Sequence, residues 1–121
     1  MKTKNLEIGY LGEVFAKKYL QGKKYRIIKE NYRTKYAEID LIARDRKDIL
    51  VFVEVKARLS ERFGGPEESI NRDKLKRLIR NAEAYVANKR YLKEYRIDAI
   101  CIVFDENRRL DRIDHYENIT L

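Results

Sequence analysis

The fold is decided by the stretch Ala37-Glu38-Ile39-Asp40-Leu41-Ile42-Ala43 and by the segment Val51-Phe52-Val53-Glu54-Val55-Lys56 that follows it. Both are rich in the branched and aromatic side chains that favour β-strands, and the polar residues 44–48 separate them as a turn would. We therefore predict two strands joined as an antiparallel hairpin, with residues two apart on the same face of each strand.

Charged residues interrupt both predicted strands. Glu38 and Asp40 share one face of the first strand, and Glu54 and Lys56 share one face of the second. If Asp40 lies opposite Glu54, the three carboxylates and the ammonium meet in one patch. Charges inside apolar strands are costly to bury unless they are paired or bind a metal ion. The pattern therefore predicts a site, with a purely structural salt bridge as the alternative.

The chemistry that suits this patch is metal-assisted cleavage of a phosphodiester bond. Mg²⁺ prefers oxygen ligands at roughly 2.1 Å, usually a few carboxylates with water and substrate phosphate. Asp40 and Glu54 would supply carboxylates and the main-chain carbonyl of Val55 a further oxygen, with Mn²⁺ as a substitute ion. Lys56 would orient the attacking water, favour its deprotonation or offset charge on the phosphate.

Asp40 followed by Glu54-Val55-Lys56 resembles the Asp…Glu-x-Lys signature of restriction-endonuclease-like, or PD-(D/E)XK, nucleases. The wider sequence is similar to one branch of them, the YraN family of small bacterial proteins, which is related to archaeal Holliday-junction resolvases. The resemblance covers nearly the whole chain, although Ala37 stands where the family usually has glycine. The matching positions are Gly9, Gly12, Glu13, Ala16, residues 31–33, 38–43, 51–58 and 64–66, Lys74 and Asp98.

The resemblance implies a metal-dependent endonuclease that hydrolyses DNA, with branched or otherwise structured DNA as the substrate. It also implies that Glu13 is a metal ligand or positions water; the alternative is an ordinary exposed glutamate. Small neighbours at Gly9 and Ala16 would let the first helix approach the sheet closely. For Glu38 we weigh a catalytic role against that of a partner for a nearby arginine or lysine.

Three basic residues are predicted to contact nucleic acid. Arg58 continues the face of Lys56, Lys74 lies near the start of a helix, and Arg33 belongs to a matching segment. The alternative for each is a solvated surface position. The formal charge of +8 and the isoelectric point near 9.6 favour a polyanionic partner, because binding neutralises phosphates and releases counterions.

Composition excludes several other classes of protein. With one cysteine, Cys101, and one histidine, His115, a single chain cannot assemble a His/Cys zinc site. We expect Cys101 in the core of a cytoplasmic protein and His115 on the surface of an edge strand. The longest apolar run, residues 99–104, is far shorter than the ~20 residues of a membrane helix, so no membrane partner is expected.

The length of 121 residues predicts one domain over residues 1–121. Periodicity predicts helices at about 6–21 and 71–89 and strands at about 25–28, 96–104 and 110–116 besides the hairpin. This order indicates an α/β protein, and the resemblance implies a restriction-endonuclease-like fold with a mixed sheet of four to five strands flanked by helices. The resemblance also suggests that the face of Glu54 and Lys56 lies near the first helix. For Asp98 we expect a structural hydrogen-bonding role.

Three functional hypotheses follow. The first is the metal-dependent nuclease, for which a homodimer would pair two sites across a junction. The second is a nucleic-acid-binding module that keeps the fold without turnover. The third is a protein-interaction adaptor, which would neither cleave nor retain DNA.

Overall fold

The structure is a computed structural model that describes residues 2–120, with side chains described from Glu7 onward. Two α-helices, one 3-10 helix and five strands follow one another along the chain. They are α1 (Lys2–Gly22), β1 (Arg26–Arg33), β2 (Glu38–Arg44), β3 (Leu50–Leu59), the 3-10 helix (Pro66–Ser69), α2 (Arg72–Asn88), β4 (Tyr95–Phe104) and β5 (Leu110–Tyr116). The first strand therefore continues to Arg33, beyond the predicted range of 25–28.

The five strands form one mixed sheet in the order β1-β2-β3-β4-β5. Neighbouring strands are antiparallel except for β3 and β4, which are parallel because α2 carries the chain back between them. The predicted α/β architecture, with a mixed sheet flanked by helices and β5 at an edge, is confirmed.

The two helices form where the sequence predicts them. In α1 the predicted stripe of Ile8, Leu11, Phe15 and Tyr19 packs against the core. The α2 helix begins after Asn71, as predicted, and the Oδ1 atom of Asn71 accepts a 2.9 Å hydrogen bond from the main-chain N–H of Lys74. None of the helices within residues 2–120 is long and apolar enough to cross a bilayer.

The sheet separates two hydrophobic clusters. On the α1 side lie Val51, Val53 and Val55 of β3, whereas Leu50 and Phe52 lie with α2 on the other side. By the same alternation, Glu54 and Lys56 turn toward α2. The expectation that this face lies near the first helix is therefore wrong; the small valines are the side chains that face α1.

A glycine sets the distance between α1 and β3. A Cβ atom on the buried Gly12 would lie 2.6 Å from the Cβ of Ala57, closer than two carbons can approach. Ala16, one turn later, is also fully buried. Around Gly9, by contrast, none of the described side chains lies within 4 Å of such a Cβ. The close approach therefore depends on Gly12 and Ala16, and the predicted contribution of Gly9 is wrong.

His115 is a second correction. Its side chain is only 3% exposed, and its Nε2 lies 2.8 Å from Oδ2 of the buried Asp98. The rings of Tyr19 and Tyr25 contact it edge-on. The surface prediction failed because the final turn of α1 and the following loop cover this part of β5. Cys101 is buried, as predicted.

Candidate functional site

The hairpin has the predicted register. β2 pairs with β3 from Arg44 opposite Leu50 to Leu41 opposite Val53. Continuing this register places Asp40 opposite Glu54, one step beyond the last pair. The pairing of the two strands therefore ends at the residues that were predicted to form the site.

Asp40 occupies the opening between the strands. Ile39 packs on the α2 side and Leu41 on the α1 side, so the normal alternation of β2 is interrupted at Asp40. The Oδ2 atom of Asp40 accepts a 2.8 Å hydrogen bond from the main-chain N–H of Val55. A side-chain carboxylate thus replaces the main-chain partner that a continuous ladder would supply, and it is fixed against β3.

The carboxyl groups of Asp40 and Glu54 destabilise one another as anions. Burial raises the pKa of Asp40 well above its ordinary value, and the charge of Glu54 raises that pKa further; the Val55 hydrogen bond opposes both effects only in part. The arrangement therefore favours a bound proton or a cation at this pair.

Two lysines approach Glu54, which is 3% exposed. Lys74 Nζ lies 3.0 Å from Glu54 Oε2, and Lys56 Nζ lies 3.7 Å from the same oxygen. Lys56 comes from β3 itself and Lys74 from the first turn of α2. The structure therefore brings together Asp40, Glu54, Lys56 and Lys74.

Glu13 and Glu38 form a separate pair on the α1 side, joined by Asn31. In the amide orientation that its neighbours require, the nitrogen of Asn31 donates to Glu13 Oε1 at 2.8 Å and to Glu38 Oε1 at 3.1 Å. Asn31 adopts a left-handed backbone conformation with φ of 52°, which marks a local irregularity of β1. Glu38 thus contacts Asn31 and, at 3.4 Å, Arg33, and its convergence with Asp40 and Glu54 in one patch stays a prediction.

Glu13 nevertheless lies within electrostatic range of the other group. Partial burial raises its pKa first, followed by the charges of Glu38, Glu30 and Glu54. Carboxylate oxygens of Glu13, Asp40 and Glu54 do not all lie within 4.8 Å of one another. The geometry thus leaves Glu13 beside the pair, and its role as a ligand stays a prediction.

Elsewhere in residues 2–120, one group of three side chains has ligand atoms within 4.8 Å of one another: Asp98, His115 and Glu117. The oxygens of Asp98 already accept hydrogen bonds from His115, Arg96 and the main-chain N–H of Asn118. Burial favours a higher pKa for Asp98, but these hydrogen bonds outweigh it and leave the pKa lowered. Asp98 therefore has the predicted structural hydrogen-bonding role, and its oxygens are already occupied by these donors.

The three predicted nucleic-acid contacts have different surroundings. Arg58 donates to Ser69 Oγ at 3.1 Å and so connects β3 to the 3-10 helix. Lys74 pairs with Glu54, and Arg33 lies 3.4 Å from Glu38 Oε2 while remaining largely exposed. Arg33 is therefore the freest of the three to meet a phosphate.

Sequence reasoning missed two residues: Asn81 of α2 and Thr34 of the turn between β1 and β2. Asn81, which is 2% exposed, accepts a 2.7 Å hydrogen bond from Thr34 Oγ1. Thr34 also bonds with the main chain of Tyr36 and Ala37, so the turn is attached to α2. A signal existed: Asn81 is the polar residue that lies within the apolar stripe of α2, three positions after Leu78. Ala37 avoids a positive φ, so alanine is tolerated at this position.

Sequence comparisons agree with the resemblance. The sequence model of the uncharacterised protein family UPF0102 matches residues 12–102. A UPF0102 protein of Dictyoglomus turgidum is 44% identical over 100 residues, which cover 82% of this chain and 84% of the relative. One from Syntrophomonas wolfei is 37% identical over 115 residues, which cover 94% and 97% of the two chains. The chain described here therefore belongs to the uncharacterised protein family UPF0102.

Proposed function

We propose that this protein is a metal-dependent endonuclease that hydrolyses phosphodiester bonds in DNA. The observation that carries the proposal is the pair Asp40 and Glu54, two neighbouring carboxyl groups, one half-buried and one buried, where β2 and β3 separate. A protein gains no stability from forcing two such anions together. The arrangement is explained if the pair holds a divalent cation.

The residues fit Mg²⁺ or Mn²⁺ by the chemistry of their donors. The carboxylates of Asp40 and Glu54 and the carbonyl of Val55 are hard oxygen donors, and Asp40 is already oriented by its hydrogen bond to Val55 N–H. When bound, the ion would supply Lewis-acid activation of the phosphodiester and of water. Glu13 would join through a further carboxylate on the α1 side.

The lysines have distinct roles in this proposal. Lys56, on the same strand face as Glu54, would orient the attacking water and offset charge on the phosphate. Lys74 holds Glu54 through the 3.0 Å ion pair and so positions the carboxylate. The exposed basic residues of α2, namely Arg72, Lys76, Arg77 and Arg80, would attract the DNA backbone.

One observation favours a second candidate, a nucleic-acid-binding module without turnover. Both Lys56 and Lys74 already contact Glu54 Oε2, so ammonium groups can compensate the charge of this carboxylate without a metal ion. In that case the basic surface would bind DNA, and Asp40 would keep a proton.

Cleavage of a small panel of DNA tests the proposal. We expect the wild-type protein to cut a linear duplex, a single strand, a flap or a four-way junction in Mg²⁺ or Mn²⁺, with substrates ranked by rate. Lys56→Ala and Asp40→Asn should abolish cutting and retain binding, whereas Lys93→Ala, an exposed lysine on the loop after α2, should cut normally. Salt-sensitive binding without cutting of any substrate would favour the binding module instead.

Metal binding can be measured without activity. Because Asp40 and Glu54 repel one another, Asp40→Asn should raise the thermal midpoint of the metal-free protein at pH 8. The same change should remove the further stabilisation that millimolar Mn²⁺ gives the wild type, since a ligand that binds only the folded state stabilises it. Equal stabilisation of both proteins by Mn²⁺ would contradict a metal site at Asp40.

A further inference from the structure

A cleft lies between the β1–β2 turn and α2. Its volume is about 750 Å³, within the roughly 300–1,000 Å³ of small-ligand sites. The lining residues that matter for binding are Arg33, Thr34, Lys35, Tyr36, Arg80 and Glu83. Of these residues, the proposed function uses only Arg80, as one of the basic residues that attract the DNA backbone.

The wall formed by the turn is held in place. Thr34 donates to the buried Asn81 of α2, and its hydroxyl also accepts from the main-chain N–H groups of Tyr36 and Ala37. Along the cleft, the rings of Tyr32 and Tyr85 pack edge-to-face with centroids 5.1 Å apart. A binding surface that is ordered before its ligand arrives loses less entropy on binding.

The chemistry of the cleft combines positive charge with an available aromatic ring. Arg33, Lys35 and Arg80 contribute three positive charges against the one negative charge of Glu83. Tyr36 is 48% exposed, and Lys35 Nζ lies 5.2 Å from the centre of its ring. Cations for phosphates beside an aromatic surface for bases are the combination that single-stranded nucleic acid binds.

Arg33 and Arg80 relate the position of the cleft to that of the candidate site. Arg33 lines the cleft and contacts Glu38, which Asn31 connects to Glu13. On the other wall, Arg80 follows Lys74 by six positions of α2, or about 9 Å along the helix axis. A strand whose phosphate lies at Asp40 and Glu54 could thus extend into the cleft within a few nucleotides.

We infer that the cleft binds an unpaired nucleotide of a DNA strand, with its base against Tyr36 and its phosphates near Arg33, Lys35 and Arg80. The inference rests on the proposed function and narrows its substrate class to DNA with a single-stranded segment beside the scissile bond. A continuous duplex has no free base to place there, because its bases are stacked and paired.

Fluorescence of a single-stranded oligonucleotide that contains 2-aminopurine tests the inference, with EDTA present so that nothing is cut. Tyr36→Ala should weaken binding about fivefold or more, the lower range of base–aromatic stacking, and should abolish quenching of the 2-aminopurine. Tyr36→Phe keeps the ring and should retain both. Arg80→Ala should weaken binding more than Arg77→Ala, which removes the same charge from the same helix outside the cleft.

Two results would overturn the inference: unchanged quenching and affinity in Tyr36→Ala, or an equal loss of affinity for a blunt duplex. Thermal unfolding of each variant excludes misfolding as the cause, and Tyr36 is exposed enough that we expect none. Since the titration requires neither metal nor turnover, an inactive protein can still pass it. Conversely, cleavage that is lost in Lys56→Ala but unchanged in Tyr36→Ala would support the proposed nuclease and contradict the role of the cleft.

Discussion

The contact between Gly12 and Ala57 gives a stability prediction with a matched control in the same helix. In Gly12→Ala the new Cβ would lie 2.6 Å from the Cβ of Ala57, about 1 Å inside a normal carbon–carbon contact. Neither atom belongs to a side chain that can rotate away, so α1 must move from the sheet. Such overpacking costs about 1–3 kcal/mol.

Gly9→Ala separates this cost from the change in helix propensity. Both substitutions gain up to about 1 kcal/mol because alanine favours the helix over glycine, and the new Cβ of residue 9 would meet none of the described side chains within 4 Å. Gly9→Ala should therefore be stabilising by about 0.5–1 kcal/mol. The two variants should differ by the overlap alone, about 1–3 kcal/mol.

Urea denaturation followed by circular dichroism measures the difference. We expect a lower midpoint for Gly12→Ala than for Gly9→Ala with an unchanged m-value, which would indicate a change in stability alone. In thermal unfolding each kcal/mol corresponds to about 4 °C for a chain of this size. Equal stabilities of the two variants would refute the close approach of α1 to β3. They would also remove the explanation for the position of Glu13 near the sheet.

Three further predictions concern groups outside the candidate site. Because the pKa of Asp98 is lowered, its contribution to stability is complete above about pH 4 and is lost as the pH falls through its folded-state pKa. Asp98→Asn should therefore reduce the free energy of unfolding at pH 7 by about 3 kcal/mol and weaken the loss of stability on acidification. Urea midpoints measured between pH 2 and 7 test this, and parallel pH profiles of the variant and the wild type would contradict it. Hydrogen bonds from Arg112 lower the pKa of Glu67 to about 2. In Arg112→Met that pKa should return toward 4.5 in a carbon-13 NMR titration, and an unchanged pKa would exclude the pairing of Glu67 with Arg112. Burial raises the pKa of Cys101 to about 12, so a thiol reagent should label it only after unfolding, and rapid labelling of the native protein would show that the thiol is accessible.

Much of the fold could be predicted because local patterns and burial agree along most of the chain. The alternation of Val51, Val53 and Val55 identifies a strand, and Asn71 marks the start of α2 in the way that N-caps usually do. The register of the hairpin, with Leu41 opposite Val53, also agrees with the prediction, because a one-residue slip would exchange the faces of every side chain in the hairpin.

The grouping of the carboxylates could not be predicted in the same way. Strand periodicity places Glu38 and Asp40 on one face, but β2 and β3 separate beyond Leu41 and the alternation of β2 is interrupted there. Glu38 accepts a hydrogen bond from Asn31, which also donates to Glu13, a contact that strand periodicity does not indicate. An interruption of this kind depends on how three strands and a helix fit together, which no local pattern records.

The types of the elements, the family and the residues of the candidate site could be read from the chain alone, because hydrophobic periodicity and the order of Asp40, Glu54 and Lys56 are properties of the sequence. Only the tertiary structure decided which helix each face of the sheet would meet, that Lys74 would pair with Glu54, and that His115 would be buried beside Asp98. The physical reason is that these contacts join residues distant in sequence, and their partners are selected by packing after the strands have formed.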